Sequence, residues 1–355
     1  MNKFFCIFCT ILFISTTENV FSDNLNYNVN NIEVKGKTNN IADNKKLIES
    51  AFKKAFIVFI DKTLLRKDAI NLYKTKNETI KDLVLTYQII KNEKNNINEN
   101  LSVLNVKFDS KKINNFLAKK KISYADISNI SLTVLPILIK KKNIFLYDDN
   151  FFYNNWIKLK DANDNSEEEL IKYNLALENI EDLEYINSTK KNVELLDARK
   201  INAFKGYSNY ALIIIYSTES KLKAFIKTSF KNKDINRNID LNFYPKNENK
   251  SYEEGIEIVK KEINQIWKEQ NLIDVNTPSF LDFFLEIKKN DDYLKFKSIL
   301  DDIDVIESYS VLEITNKHFK IRLKYRGKLI KIKNKLSDQK ISIKIIDNIW
   351  KLKIK

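Results

Sequence analysis

Apolar positions along the 355-residue chain fall into three blocks of different rhythm. In the first block, Asn28 to Lys35 reads as a strand carrying Val29, Ile32 and Val34, closed by Gly36. A helix follows, with Asn40 as its N-cap and Asp43 favouring the positive helix end. Ile48, Ala51, Phe52, Ala55, Phe56 and Phe59 recur at helical spacing and form one wide apolar face. Leu83 to Ile90 and Leu101 to Phe108 read as two strands joined by a polar loop, Lys91 to Asn100. Asp109 then caps a short helix with Ile113, Phe116 and Leu117 on its apolar side. The first block is thus a strand-helix-hairpin-helix unit.

The second block is marked by short, continuously apolar runs. Ser131 to Ile139 and Tyr210 to Tyr216 read as strands buried on both faces. A helix around Phe151–Leu159 carries Trp156, and the acidic stretch Asp161 to Glu169 reads as a surface loop leading into a helix. Val193 to Phe204 has apolar residues at helical spacing (Val193, Leu196, Ile201, Phe204) and ends at Gly206. Leu222–Ile226 and Ile239–Phe243 alternate as strands, and Tyr252 to Gln270 is an amphipathic helix with Ile256, Val259, Ile263 and Trp267 on one side. Two-sided strands interleaved with helices predict a three-layer α/β unit.

The third block reads strand (Phe283–Ile287), helix capped by Asp292, hairpin (Val305–Thr315 and His318–Arg326), helix from Gly327, and a terminal hairpin (Ile341–Ile346, Ile349–Ile354). This is the ferredoxin-like βαββαβ order with one extra strand. The expected organisation is a multi-domain α+β and α/β protein, with a signal peptide over 1–22 and domains over 23–125, 126–275 and 276–355.

The leader assigns the address. Lys3 precedes about twelve largely apolar residues, Phe4 to Ser15, which suits a signal peptide and falls short of the ~20 needed to cross a bilayer. Val20 and Ser22 give a small-residue cleavage pattern between Ser22 and Asp23. The expected location is the periplasm or another extracytoplasmic space, with no membrane span in the mature chain; an uncleaved anchor is the alternative. Cys6 and Cys9, the two cysteines of the chain, both lie in the leader, so the processed protein holds no thiol and no disulfide.

That narrows the chemistry. There is one histidine, His318, on the charged side of its alternating strand, so zinc and copper sites, thiol nucleophiles and a Ser–His–Asp triad lack their residues. The four glycines are scattered, which removes phosphate loops and dinucleotide fingerprints. No cofactor, metal site or catalytic residue is expected. Carboxylates such as Asp148–Asp149 and Glu167–Glu169 lack calcium-loop spacing and read as loop charges. The net charge is +14, but only five of 61 basic residues are arginine, and lysines are spread along the chain. Base and phosphate recognition favours arginine, so nucleic acid is not the expected partner. The compact basic face is the alternating strip Lys320, Arg322, Lys324 and Arg326, a candidate surface for lipid phosphate or an acidic partner, or else the wet side of a half-buried sheet.

Several segments together resemble a known family: the leader, NIEVKGKTNNIADNKKLIESAFKKAFIVFI, LSVLNVKFDSKKINNFL, SLTVLPILI, INQIWKEQN and LKYRGKLIKIKNKL. Their order is similar to that of the bacterial envelope proteins grouped as domain of unknown function 2066. The family pattern usually has an Ala-Arg pair in the first helix, where this chain has Asp43–Asn44–Lys45. More remotely, the first unit resembles N-terminal domains of flagellar and lipoprotein-type envelope assembly proteins. The middle unit resembles the anticodon-binding-like domain at the start of the Tol-system translocation protein. The resemblance implies a non-enzymatic binding or assembly protein of the envelope, whose partner is an envelope protein, the cell wall or lipid headgroups. Two alternatives stand beside it: a polyanion or anionic-lipid binder, and a hydrolase using carboxylates or a Ser–Lys pair.

Overall fold

The computed structural model describes residues 27–36, 40–96, 99–125, 130–158, 170–189, 192–287, 291–327, 329–346 and 349–354. The leader and the Ser22–Asp23 cleavage site lie outside them, as do Asp161 to Glu169. No helix among the described residues is long and apolar enough to cross a membrane.

The first unit is an antiparallel sheet of three strands in the order β1 (Asn28–Gly36), β3 (Glu99–Phe108), β2 (Val84–Asn96). Helix α1 (Ile41–Thr63) begins where predicted: the Asn40 side chain accepts the N–H of Asp43 at 2.8 Å. Ala51, Ala55, Phe56 and Ile60 are fully buried, so small residues let the helix approach while the aromatic ring fills the core. Two short helices not foreseen in the sequence, α2 (Arg66–Leu72) and α3 (Asn77–Leu83), follow. Leu83 therefore ends a helix instead of opening a strand. The hairpin is longer than predicted, because β2 runs to Asn96 and β3 starts at Glu99. Backbone pairing needs no apolar side chain, so the polar stretch read as a loop is largely strand. Asp109 caps α4 (Ser110–Lys119) as expected.

The second unit is built on β5 (Ile130–Lys140) and β8 (Asn209–Ser217), which pair in parallel. The hairpin β9 (Leu222–Phe230) and β10 (Lys233–Leu241) extends the sheet beyond β8. On the far edge of β5 lie two short strands, β6 (Asn143–Phe145) and β7 (Ile171–Leu175), the latter parallel to it. The apolar runs are buried on both faces, as their composition requires. Leu132, Val134, Ile213 and Ile215 pack under α5 (Phe151–Asn155) and the long α7 (Glu248–Gln270). Leu135, Ile137, Leu212 and Ile214 face the opposite side, toward α6 (Ile180–Ser188). The three layers are thereby established.

Three details differ from the sequence expectation. α5 stops at Asn155, with Trp156 as its C-cap. β9 and β10 meet in a turn at Lys231–Asn232, so β10 begins well before Ile239. Residues 193–204 form three short 3₁₀ turns, not one helix. Val193, Leu196, Ile201 and Phe204 are buried as the spacing required. Side chains take the backbone donors instead: Asp197 accepts from Arg199 N–H, and fully buried Asp182 accepts from Asn202 and Ala203 N–H at 2.6 and 2.9 Å.

The third unit has the expected element order: β12 (Ser279–Glu286), α8 (Asp292–Asp302), β13 (Ile306–Ile314), β14 (His318–Tyr325), α9 (Leu329–Asp338), β15 (Ile341–Ile346) and β16 (Ile349–Ile354). Asp291, not Asp292, is the N-cap residue of α8. The sheet order is β13-β14-β12-β16-β15, with β16 parallel to β12. In a ferredoxin-like sheet the fourth strand would sit beside the first. Here the extra last strand takes that inner place and pushes β15 to the edge.

The first two units are also joined. β4 (Tyr124–Ala125) pairs with β11 (Leu272–Ile273), and Ile273 and Val275 are buried in the first unit's core. Lys268 of α7 donates to the carbonyls of Asp61 and Leu64 at the end of α1, the second at 3.1 Å.

Candidate binding crevice and the paired basic strip

Alternation along β14 places Phe319, Ile321, Leu323 and Tyr325 toward the core and His318, Lys320, Arg322 and Lys324 on the outer face. The neighbouring strands supply carboxylates opposite that face. Arg322 makes a two-pronged bond to Asp282 on β12, both contacts at 2.7 Å. This bond holds the Asp282 carboxyl below its ordinary value. Glu307 bridges Lys324 at 3.0 Å and Arg326 at 3.2 Å. Lys320 lies over the Phe284 ring, and His318 sits edge-on to the same ring and 4.0 Å from Glu313. The predicted strip is therefore a ladder of mixed charge, and its lysines and arginines are committed to their own sheet. Arg326 also lines a small cleft beside Asn114 and Tyr309, where its Nε has no hydrogen-bond partner among the described residues.

A different place in the fold has the properties of a binding site. From β5 the chain crosses to β7 on one side through α5, and then returns to β8 on the other side through α6. The strand order thus reverses between β5 and β8. Open α/β sheets bind ligands at the carboxyl ends of the strands at such a reversal, because diverging crossovers leave a gap there. The strands end in register at Lys140 and Ser217. Beyond them lies a cavity of about 580 Å³ with Ile139, Tyr216, Phe243 and Pro245 as apolar walls. A second cavity of about 730 Å³ shares Ile139, Lys142 and Tyr216 and adds Ile144, Val193 and Leu195. Both fall in the range of ligand pockets, about 300–1,000 Å³.

The floor of the first cavity is a hydrogen-bonded network. Lys140 Nζ donates to Glu248 at 2.7 Å, the Tyr252 hydroxyl lies 2.6 Å from Glu248, and Tyr252 also reaches Ser217 Oγ at 3.1 Å. The Lys140 bond, then that of Tyr252, lowers the Glu248 carboxyl below its ordinary value. Burial, then the bond to Glu248, raises Tyr252 above its ordinary value. Burial also pushes Tyr216 up to about 12, helped by Glu194. The floor thus presents an ionised carboxylate and the walls neutral tyrosine rings. Lys140 and Ser217 stand side by side, but each bonds elsewhere, so they do not form a Ser–Lys pair.

The rim is the β5–β6 hairpin turn, whose central residues Lys141 and Lys142 have φ of 49° and 69°. Positive φ at both positions is the geometry of a type I′ turn, which suits Asn-Gly. Both lysines are exposed, and among the described residues neither has an ion-pair partner. The composition, poor in glycine, gave no signal that this lysine pair differs from the other lysines. What distinguishes it is position. Asp148 and Asp149 sit exposed in a 3₁₀ turn, and no cluster of His, Cys, Asp or Glu among the described residues could hold a metal.

No family model, no curated protein and no solved structure matches the chain. The envelope-family resemblance therefore rests on the quoted motifs.

Proposed function

We propose that the protein is an exported binding or assembly protein of the bacterial cell envelope, which holds a ligand or partner instead of transforming one. The observation that carries this reading is the crevice at the reversal between β5 and β8, which combines apolar walls, a hydrogen-bonded floor and the exposed lysines Lys141 and Lys142 at its mouth. The leader, with cleavage before Asp23, supports an extracytoplasmic site of action. The paired state of Arg322, Lys324 and Arg326 favours this crevice over the basic strip as the recognition surface.

The test places a photoreactive residue at Thr218, on the crevice wall, and a matched one at exposed Leu294 on α8. The full chain is expressed in a Gram-negative host. The expected result is a processed chain starting at Asp23 that forms an envelope adduct from position 218 and not from 294. An unprocessed chain in the cytosol, or equal labelling at both positions, would overturn the reading.

A further inference from the structure

From the chemistry of the crevice, and resting on its reading as a binding site, we propose that its ligand is an acyl-chain amphiphile with an anionic head. Two kinds of surface are left unmatched among the described residues. One is apolar: Ile139 and Tyr216 separate the two cavities, Phe243 and Pro245 continue the wall on the α7 side, and Leu195 on the other side is 77% exposed. Water against these walls is displaced favourably by a hydrocarbon chain. The other is cationic: Lys141 and Lys142 at the exposed rim, with Lys142 lining both cavities; of the carboxylates on the same walls, Glu248 is held by Lys140, Glu194 lies against Tyr216, and Glu219 makes no ion pair with either rim lysine among the described residues. A free anion would leave the walls wet, and a neutral lipid would leave the lysines unpaired. An amphiphile that lays its chain across Ile139 and Tyr216 and its head at the lysine turn satisfies both. Lys140 is not the anchor, since Glu248 occupies it.

The test uses lauryl phosphate below its micelle threshold, with neutral monolaurin and inorganic phosphate as comparisons, titrated by calorimetry into the mature chain. Lys141→Asn with Lys142→Gly removes both charges while installing the pair that a type I′ turn favours, so the fold is kept and the melting temperature should hold or rise. This double variant should weaken lauryl phosphate by about tenfold and leave monolaurin unchanged. Leu195→Ser, a change at an exposed position, should weaken both amphiphiles. Inorganic phosphate binding as tightly as lauryl phosphate, monolaurin binding as tightly, an unchanged double variant, or no binding at all would each overturn the proposal. If these fail while Thr218 still forms its envelope adduct, the ligand class falls and the binding reading survives; if the adduct is lost too, both fall.

Discussion

Lys268 shows how one side chain can join two units and register pH. Its stem crosses from α7 into the end of α1, and its ammonium meets the carbonyls of Asp61 and Leu64. Burial pushes it down to about 8 from 10.5, with Asp61 opposing the change. Between those values the unfolded chain binds more protons than the folded one, so stability rises with pH across this window. Lys268→Met should lack that rise. Denaturant unfolding at pH 8 and pH 10.5 should show the wild type gaining up to about 3 kcal/mol relative to the variant, at ~1.4 kcal/mol per pH unit. Asp182 works differently, by holding a loop. Replacing it with alanine strands the N–H groups of Asn202 and Ala203 and should cost about 2–4 kcal/mol in chemical denaturation.

At the scale of elements, caps and strand positions carry the energetics. Asn40→Ala removes the acceptor for Asp43 N–H at the start of α1, and a loss of about 1 kcal/mol in the same assay is expected. The last strand is a stronger case. β16 lies between β12 and β15, and Leu352 on it is fully buried in the third unit's core. Ending the chain after Ile346 would strip β12 of its parallel partner and detach β15. Limited proteolysis should then cut throughout residues 279–346, whereas an edge-strand deletion would leave most of that sheet protected.

For the whole molecule, acid is the condition that should expose its electrostatics. Asp282, Glu248 and Asp197 each sit below their ordinary values because of bonds to Arg322, Lys140 and Arg199 respectively. Their folded forms bind fewer protons, so they stabilise the protein above the ordinary carboxylate values of 3.8 to 4.5. That contribution is lost as pH falls through their lowered values. Thermal melts should therefore hold near neutrality and drop steeply below about pH 4, more so at low salt, where the net positive charge, +14 at pH 7 and higher in acid, repels itself.

Periodicity alone determined most of the elements: the α1 face around Ala51 and Phe56, the two-sided strands β5 and β8, and the alternation of β14 follow from burial acting on a 3.6- or two-residue repeat. It also placed His318, Lys320, Arg322 and Lys324 on the outer face of β14, whereas Arg326 falls past the strand's end and lines a cleft. Tertiary structure decided what no repeat encodes. Whether Arg322 is free depends on Asp282, forty residues away on a neighbouring strand. The last turn of residues 193–204 is held by the carboxylate of Asp182, twenty residues earlier, which takes the N–H groups of Asn202 and Ala203. The place of β16 depends on which edge of β12 remained open. The crevice depends on two chain crossings diverging on opposite faces of a sheet, so Lys141 and Lys142 stand at its mouth through topology and not through any motif. Local patterns record which side of an element is dry; a site is made by elements meeting, and that information lies in long-range pairing.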